Sequence, residues 1–163
     1  SDTVRLERLS AHLPQEAVVI SSDLIRASGT ADAITRNRLR LPNDRDLREI
    51  HFGQWELQAF DTISDQAHLR AFWDTPGDIR PPGGESWHEV TRRVSAAIHR
   101  LTARHPDTDI IAVAHLGAIL TQVQKALCVT PYEAFGHRID NLSVTELRHS
   151  SEGWAAHSIN HSP

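Results

Sequence analysis

Three side chains of this sequence, Arg26, Glu49 and His115, stand where they could do chemistry. Arg26 follows the apolar run Ala17-Val18-Val19-Ile20, which reads as a short buried strand, β-branched and too brief for a helix. Ser21-Ser22-Asp23-Leu24-Ile25 leads into it, with Ser22 or Asp23 the expected N-cap and a helix running past Ile34. Arg26 then lies in a first helical turn at the carboxyl end of a parallel strand, where ligand crevices of α/β sheets open. Helix N-termini attract anions, and arginine adds a planar cationic fork suited to phosphate. An ordinary βα unit with a surface arginine would explain this segment alone.

His115 repeats the pattern. The run Asp109-Ile110-Ile111-Ala112-Val113-Ala114 reads as a second buried strand; Leu116-Gly117-Ala118 follows, and Ile119-Leu120-Thr121-Gln122-Val123 opens an amphipathic helix. A histidine at such a turn, beside free backbone N–H groups, can serve as proton carrier, nucleophile or phosphate-holding cation. Glu49 lies in Leu47-Arg48-Glu49-Ile50-His51-Phe52-Gly53-Gln54-Trp55-Glu56, and a carboxyl group between Arg and His suits a general acid. His51 is a weaker candidate for the same pocket.

The elements that must position these groups are legible to different degrees. Val4 to Leu9 reads as an amphipathic helix, and Arg38 to Leu41 as a short strand. Phe60 to Trp73 reads as a helical, lid-like segment carrying Phe72 and Trp73. Pro81-Pro82-Gly83-Gly84-Glu85-Ser86 breaks the chain before a long helix from Trp87 to His105, with Ser86 as N-cap and Glu89 at the capping-box position. Arg92 and Arg93 on that helix are expected to be solvated, with one of them able to reach an anion. Ser150-Ser151-Glu152-Gly153 reads as the turn of a C-terminal hairpin, so His149 beside it is a decoy rather than a nucleophile.

Taken in order, the four segments Ser21 to Ala31, Leu47 to Glu56, Pro82 to Ser86 and Ile110 to Gly117 resemble the histidine phosphatase superfamily, also called phosphoglycerate mutase-like. Asn141 to Leu147 resembles that family's strand after the last long helix. Each motif alone is weak; four in the right order and spacing are specific. The resemblance covers nearly the whole chain. It implies an α/β fold: a three-layer α/β/α sandwich, with a mostly parallel central sheet and helices on both faces. Residues 1–163 are expected to form one such domain.

The resemblance also implies a phosphate pocket of two Arg and two His with a nearby acid. Arg26 matches the downstream pocket Arg, His115 the second pocket His, and Glu49 the proton donor. The family usually has His-Gly-Gly where this chain has His115-Leu116-Gly117. The backbone N–H of Leu116 can still face a phosphate, while its side chain narrows the approach. The family's defining Arg-His-Gly, whose His is the nucleophile, has no counterpart here, since Val4 to Leu9 follows Ser1-Asp2-Thr3 directly. The favoured expectation is an upstream segment of roughly a few tens of residues carrying that motif, because Ser1-Asp2-Thr3 resembles the loop that follows it. The other expectation is a non-catalytic phosphate-binding or regulatory relative. A partner-binding domain with a vestigial anion site is a weaker third.

The implied reaction is phosphomonoester hydrolysis through a phosphohistidine, on a small phosphorylated metabolite, with no metal and no cofactor. Mutase-type transfer is the near alternative; only 66 positions separate Glu49 from His115, which favours a compact phosphatase. Trp55, Trp73 and Trp87 hint at an apolar or ring-bearing leaving group, but packing explains them equally well.

Composition narrows the partners. A net charge of −4 without a basic, aromatic-interleaved stripe gives no support for nucleic-acid binding. The single cysteine, Cys128, cannot form an internal disulfide, is expected to be a small buried hydrophobe, and fits a reducing, cytoplasmic setting. No run is apolar enough to span a membrane. Eleven histidines are present, but no His-Glu-x-x-His, Cys pair or tight His cluster suggests a metal. His88, His99, His105 and His137 are expected at the surface or satisfied. A small phosphorylated substrate is the expected partner, with a homodimer left open.

Overall fold

A computed structural model of the chain describes residues 1–163. Helix α1 (Asp2–His12) leads to strand β1 (Ala17–Ser21), helix α2 (Ile25–Thr35) and the two-residue strand β2 (Leu39–Arg40). Short 3₁₀ turns at 45–47, 53–55 and 60–62 carry the chain to α3 (Gln66–Asp74) and the long α4 (Trp87–Arg104). Strand β3 (Asp109–Val113), α5 (Leu116–Leu127), the single turn α6 (Pro131–Ala134) and the hairpin β4 (Val144–Ser150) and β5 (Gly153–His161) complete it.

β1 lies between β2 and β3, and all three strands are parallel. Successive side chains of a strand point to opposite faces, so each face needs its own cover. On one face Ala17 and Val19 of β1 and Ile111 of β3 pack against Leu9 and Leu13 from α1 and its end, and against Ala31 and Ile34 of α2. On the other, Ile20 belongs to one core cluster with Val90, Val94, Ala97 and Leu101 of α4, Ala118 of α5, and Leu47, Ile50, Trp55 and Phe72. This is the expected three-layer α/β/α arrangement. β1 is buried throughout. In β3 only Ile111 is buried, contrary to the reading of that run as a covered strand. β3 has a single hydrogen-bonded neighbour, and β4 and β5 pair antiparallel with each other alone.

Two local readings are corrected, and one left open by the sequence is decided. The stretch from Phe60 to Trp73 is not one helix: a 3₁₀ turn ends at Thr62, and α3 starts only after Asp65, whose side chain accepts from the His68 N–H. Cys128 is exposed, because it caps α5 in the left-handed conformation (φ 55°) rather than facing the core. Trp55 and Trp87 are only 5% and 1% exposed, so they serve packing. Phe72, Trp73, Phe135 and Trp87 form an edge-on chain with centroid spacings of 5.0, 5.2 and 4.6 Å, tying α3 to α4 through the segment after α6.

Arg38 is a further surprise. Its side chain is buried and satisfied almost wholly by main-chain oxygens: Ser10 O, Leu13 O, Pro14 O and Ile34 O, with Ser10 Oγ the remaining acceptor. Carbonyls at the end of α1 carry partial negative charge, which suits a cation there. No helix is long and apolar enough to cross a membrane.

Candidate active site

β1 and β3 pair in register from Ala17↔Asp109 to Ser21↔Val113, so both strands end at one rim. The Ser22 N–H donates to Val113 O at 3.1 Å and carries that pairing one residue further. The next side chains therefore meet: Ser22 Oγ and His115 Nε2 are 2.8 Å apart. Ser22 is fully buried, so the contact fixes the ring.

This explains the failure of the expected cap on α2. The N-cap is Leu24, without a side-chain cap bond. Ser22 is committed to His115, and Asp23 accepts a bidentate pair from Arg48 at 2.7 and 2.6 Å. α2 still begins where Arg26 falls in its first turn. The Arg26 side chain is exposed and makes no hydrogen bond or ion pair within the chain, yet its charge is felt by His115.

α5 starts at Leu116, with His115 as N-cap. Its first N–H groups need partners. Glu49 supplies two of them: Oε2 accepts from Gly117 N at 3.0 Å and Oε1 from Ala118 N at 3.2 Å. Oε1 also accepts from Ile50 N at 2.9 Å. The Leu116 N–H has no acceptor in the chain and stays available to an anion, while the Leu116 side chain is half-exposed above it. Gly117 is required for this seat. A Cβ there would lie 2.4 Å from Glu49 Oε1.

Burial holds the His115 pKa below its usual value; Glu49 opposes that, and Arg26 and Arg93 reinforce it. Burial thus favours the neutral ring, whose N–H can donate to a phosphoryl oxygen. Arg26, Glu49, His115 and the Leu116 N–H thus gather at one end of the sheet.

Sequence reading missed Arg93. It is not solvated: its side chain is 18% exposed and makes five hydrogen bonds. Two go to Glu85, at 2.8 and 2.9 Å, and three to the carbonyl oxygens of Asp46, Arg48 and Glu49, at 2.8, 2.8 and 2.9 Å. Burial pushes the Glu85 carboxyl up, but Arg93 and the His51 N–H outweigh it and hold the group below its usual value. Main-chain bonds join the same loops: Glu85 N–H to His51 O and Gln54 N–H to Pro82 O, both 2.8 Å. Gly53 and Gly84 face one another there. A Cβ on either would come within 2.2 Å of Pro82 O or 2.4 Å of His51 O.

The remaining expectations fall elsewhere. His51 is exposed, with Nδ1 accepting from Gly53 N. His149 stacks on Trp154 in the hairpin, away from the Glu49 seat. The Ser86–Glu89 capping box forms in full. His, Cys, Asp and Glu side chains do not converge in threes that could hold a metal ion.

Comparison with known proteins fits this geometry. The profile of the histidine phosphatase superfamily (branch 1) matches residues 4–162. The bifunctional protein Rv2228c of Mycobacterium tuberculosis is 36% identical over 115 residues, covering 68% of this chain; the chain spans 31% of that protein's length. The glucosyl-3-phosphoglycerate phosphatase of the same organism is 32% identical over 154 residues, covering 86% of this chain and 67% of its own. Among solved structures, Bacillus stearothermophilus YhfR superposes with a TM-score of 0.87 at 23% identity, covering 100% of this chain and 85% of that one. With a profile match across almost all of its residues, the chain belongs to branch 1 of the histidine phosphatase superfamily.

Proposed function

We propose that this chain carries the acid, one arginine and one histidine of a phosphomonoester hydrolase acting on a small phosphorylated metabolite. One observation carries the reading: Glu49 and His115 share the rim of β1 and β3, with Arg26 and the free Leu116 N–H beside them. The similarity to the mycobacterial glucosyl-3-phosphoglycerate phosphatase supports it. In this reading the family's nucleophilic histidine attacks phosphorus, forming a P–N bond as the ester P–O bond breaks. Arg26, His115 and the Leu116 N–H hold the phosphoryl oxygens as charge redistributes. Glu49 gives its proton to the leaving alkoxide, then takes one from the water that cleaves the P–N bond. The products are an alcohol and inorganic phosphate.

Arg26 supplies positive charge, and the His115 ring and backbone N–H groups supply hydrogen-bond donors, so turnover is expected to survive a metal chelator. The lone exposed cysteine supports a reducing, cytoplasmic setting.

The test uses the full-length natural protein. Hydrolysis of p-nitrophenyl phosphate in the presence of chelator, with an acid-labile, alkali-stable phosphoryl label on the protein, is the expected result. Phosphate or vanadate binding without turnover or label would replace the reading with a non-catalytic phosphate-binding module. Phosphoryl transfer to an added alcohol phosphate, faster than to water, would replace it with a mutase.

A further inference from the structure

We propose that Arg93, paired with Glu85, is a positioning residue that sets the Glu49 carboxyl at the reacting centre. The proposal rests on the phosphatase reading above and names what holds its acid in place. Residues 44–52 have no strand ladder and only one 3₁₀ turn, at 45–47, so nothing regular fixes Glu49. The Arg93 guanidinium does so from one side, by donating to the carbonyl oxygens of Asp46, Arg48 and Glu49 itself. Its two remaining bonds go to Glu85, which accepts from the His51 N–H at 2.9 Å. Main chain before and after the Glu49 side chain is therefore tied to one group on α4. The opposite side is closed by the Gly117 and Ala118 N–H groups, which receive the carboxyl. A planar fork with five donors can span these acceptors at once; an ammonium cannot. Arg93 itself need not touch the substrate.

The test is made on the full-length protein, with a series of phosphate monoesters from p-nitrophenyl phosphate to alkyl phosphates. A poor leaving group needs the acid's proton; p-nitrophenolate hardly does. Glu49→Gln serves as the reference and should steepen the dependence on leaving-group pKa of kcat/KM, which covers P–O cleavage and leaves out the shared P–N hydrolysis. Arg93→Lys and Glu85→Gln should steepen it in the same way, with about tenfold or greater loss on alkyl esters and KM held within about twofold. These mild variants are chosen because Arg93→Ala would strand a half-buried carboxylate. Equal losses of kcat/KM across the series, or a change confined to KM, would overturn the positioning role while leaving the phosphatase reading intact. If Glu49→Gln fails to steepen the series, the acid assignment falls instead. An arm independent of activity is amide exchange: Gly117 and Ala118 should exchange about tenfold or more faster in Arg93→Lys, with β1 unchanged. Unaltered exchange there would also overturn the proposal.

Discussion

At the scale of single residues, the site couples a histidine disfavoured in its charged form to a carboxyl seated on a helix end. His115 has a lowered pKa, chiefly from burial, so its unfolded form binds protons more readily than its folded form. Its contribution to stability is then fully present above about 6.5, the ordinary value, and is lost as pH falls through the lowered folded value. Denaturant stability of wild type and His115→Gln, compared from neutral pH downward, should show a wild-type slope near and below that value that the variant lacks. Identical slopes would refute the assignment. Gly117→Ala separates stability from chemistry. The added Cβ would collide with Glu49 Oε1, the far end of a flexible side chain, so Glu49 swings aside and the fold survives. Replacing a helical glycine by alanine would add up to about 1 kcal/mol. The expected result is unchanged or higher Tm with at least about tenfold lower kcat; equal activity would show that the seat of Glu49 is unimportant.

At the scale of elements, the two loops at the site act through main chain. Gly84→Ala places a Cβ 2.4 Å from His51 O, a backbone atom with no rotamer to escape by. This variant should lose both stability and activity, by about 1–3 kcal/mol for an overpacked position, read as a lower denaturant midpoint. A neutral outcome would mean that the loops part without consequence. The sequence was most legible where the deciding interactions are local. α4 was readable from its apolar spacing, and its start from Ser86 and Glu89, three residues apart. The cap of α2 was not, because the partners that claim Ser22 and Asp23 lie 93 and 25 residues away. Arg26, Glu49 and His115 could be picked out by type and place. Arg93 could not, since three of its acceptors are carbonyl oxygens, which every residue carries. The half-open state of β3 was equally hidden: an apolar run reveals a strand, not which of its faces is covered.

At the scale of the whole molecule, two helical layers grip one short sheet by different means. The α4 side is laced by ion pairs, including Arg93 to Glu85 and Arg100 to Asp44 and Asp46. It also holds Glu89, whose pKa is lowered to about 2, first by the hydrogen bond from Arg80 and then by the Ser86 N–H. Its share of stability is full above about 4.5 and vanishes as pH falls toward about 2. The α1–α2 side is joined through Arg38, whose acceptors are carbonyl oxygens and one hydroxyl. None of these titrates, and burial shields them from salt. The two layers should therefore part company in acid. Near pH 3, hydrogen exchange should find the start of α4 opening while α1, α2 and the strand beneath them remain shut. Arg38→Met should erase that order by loosening the acid-proof side first.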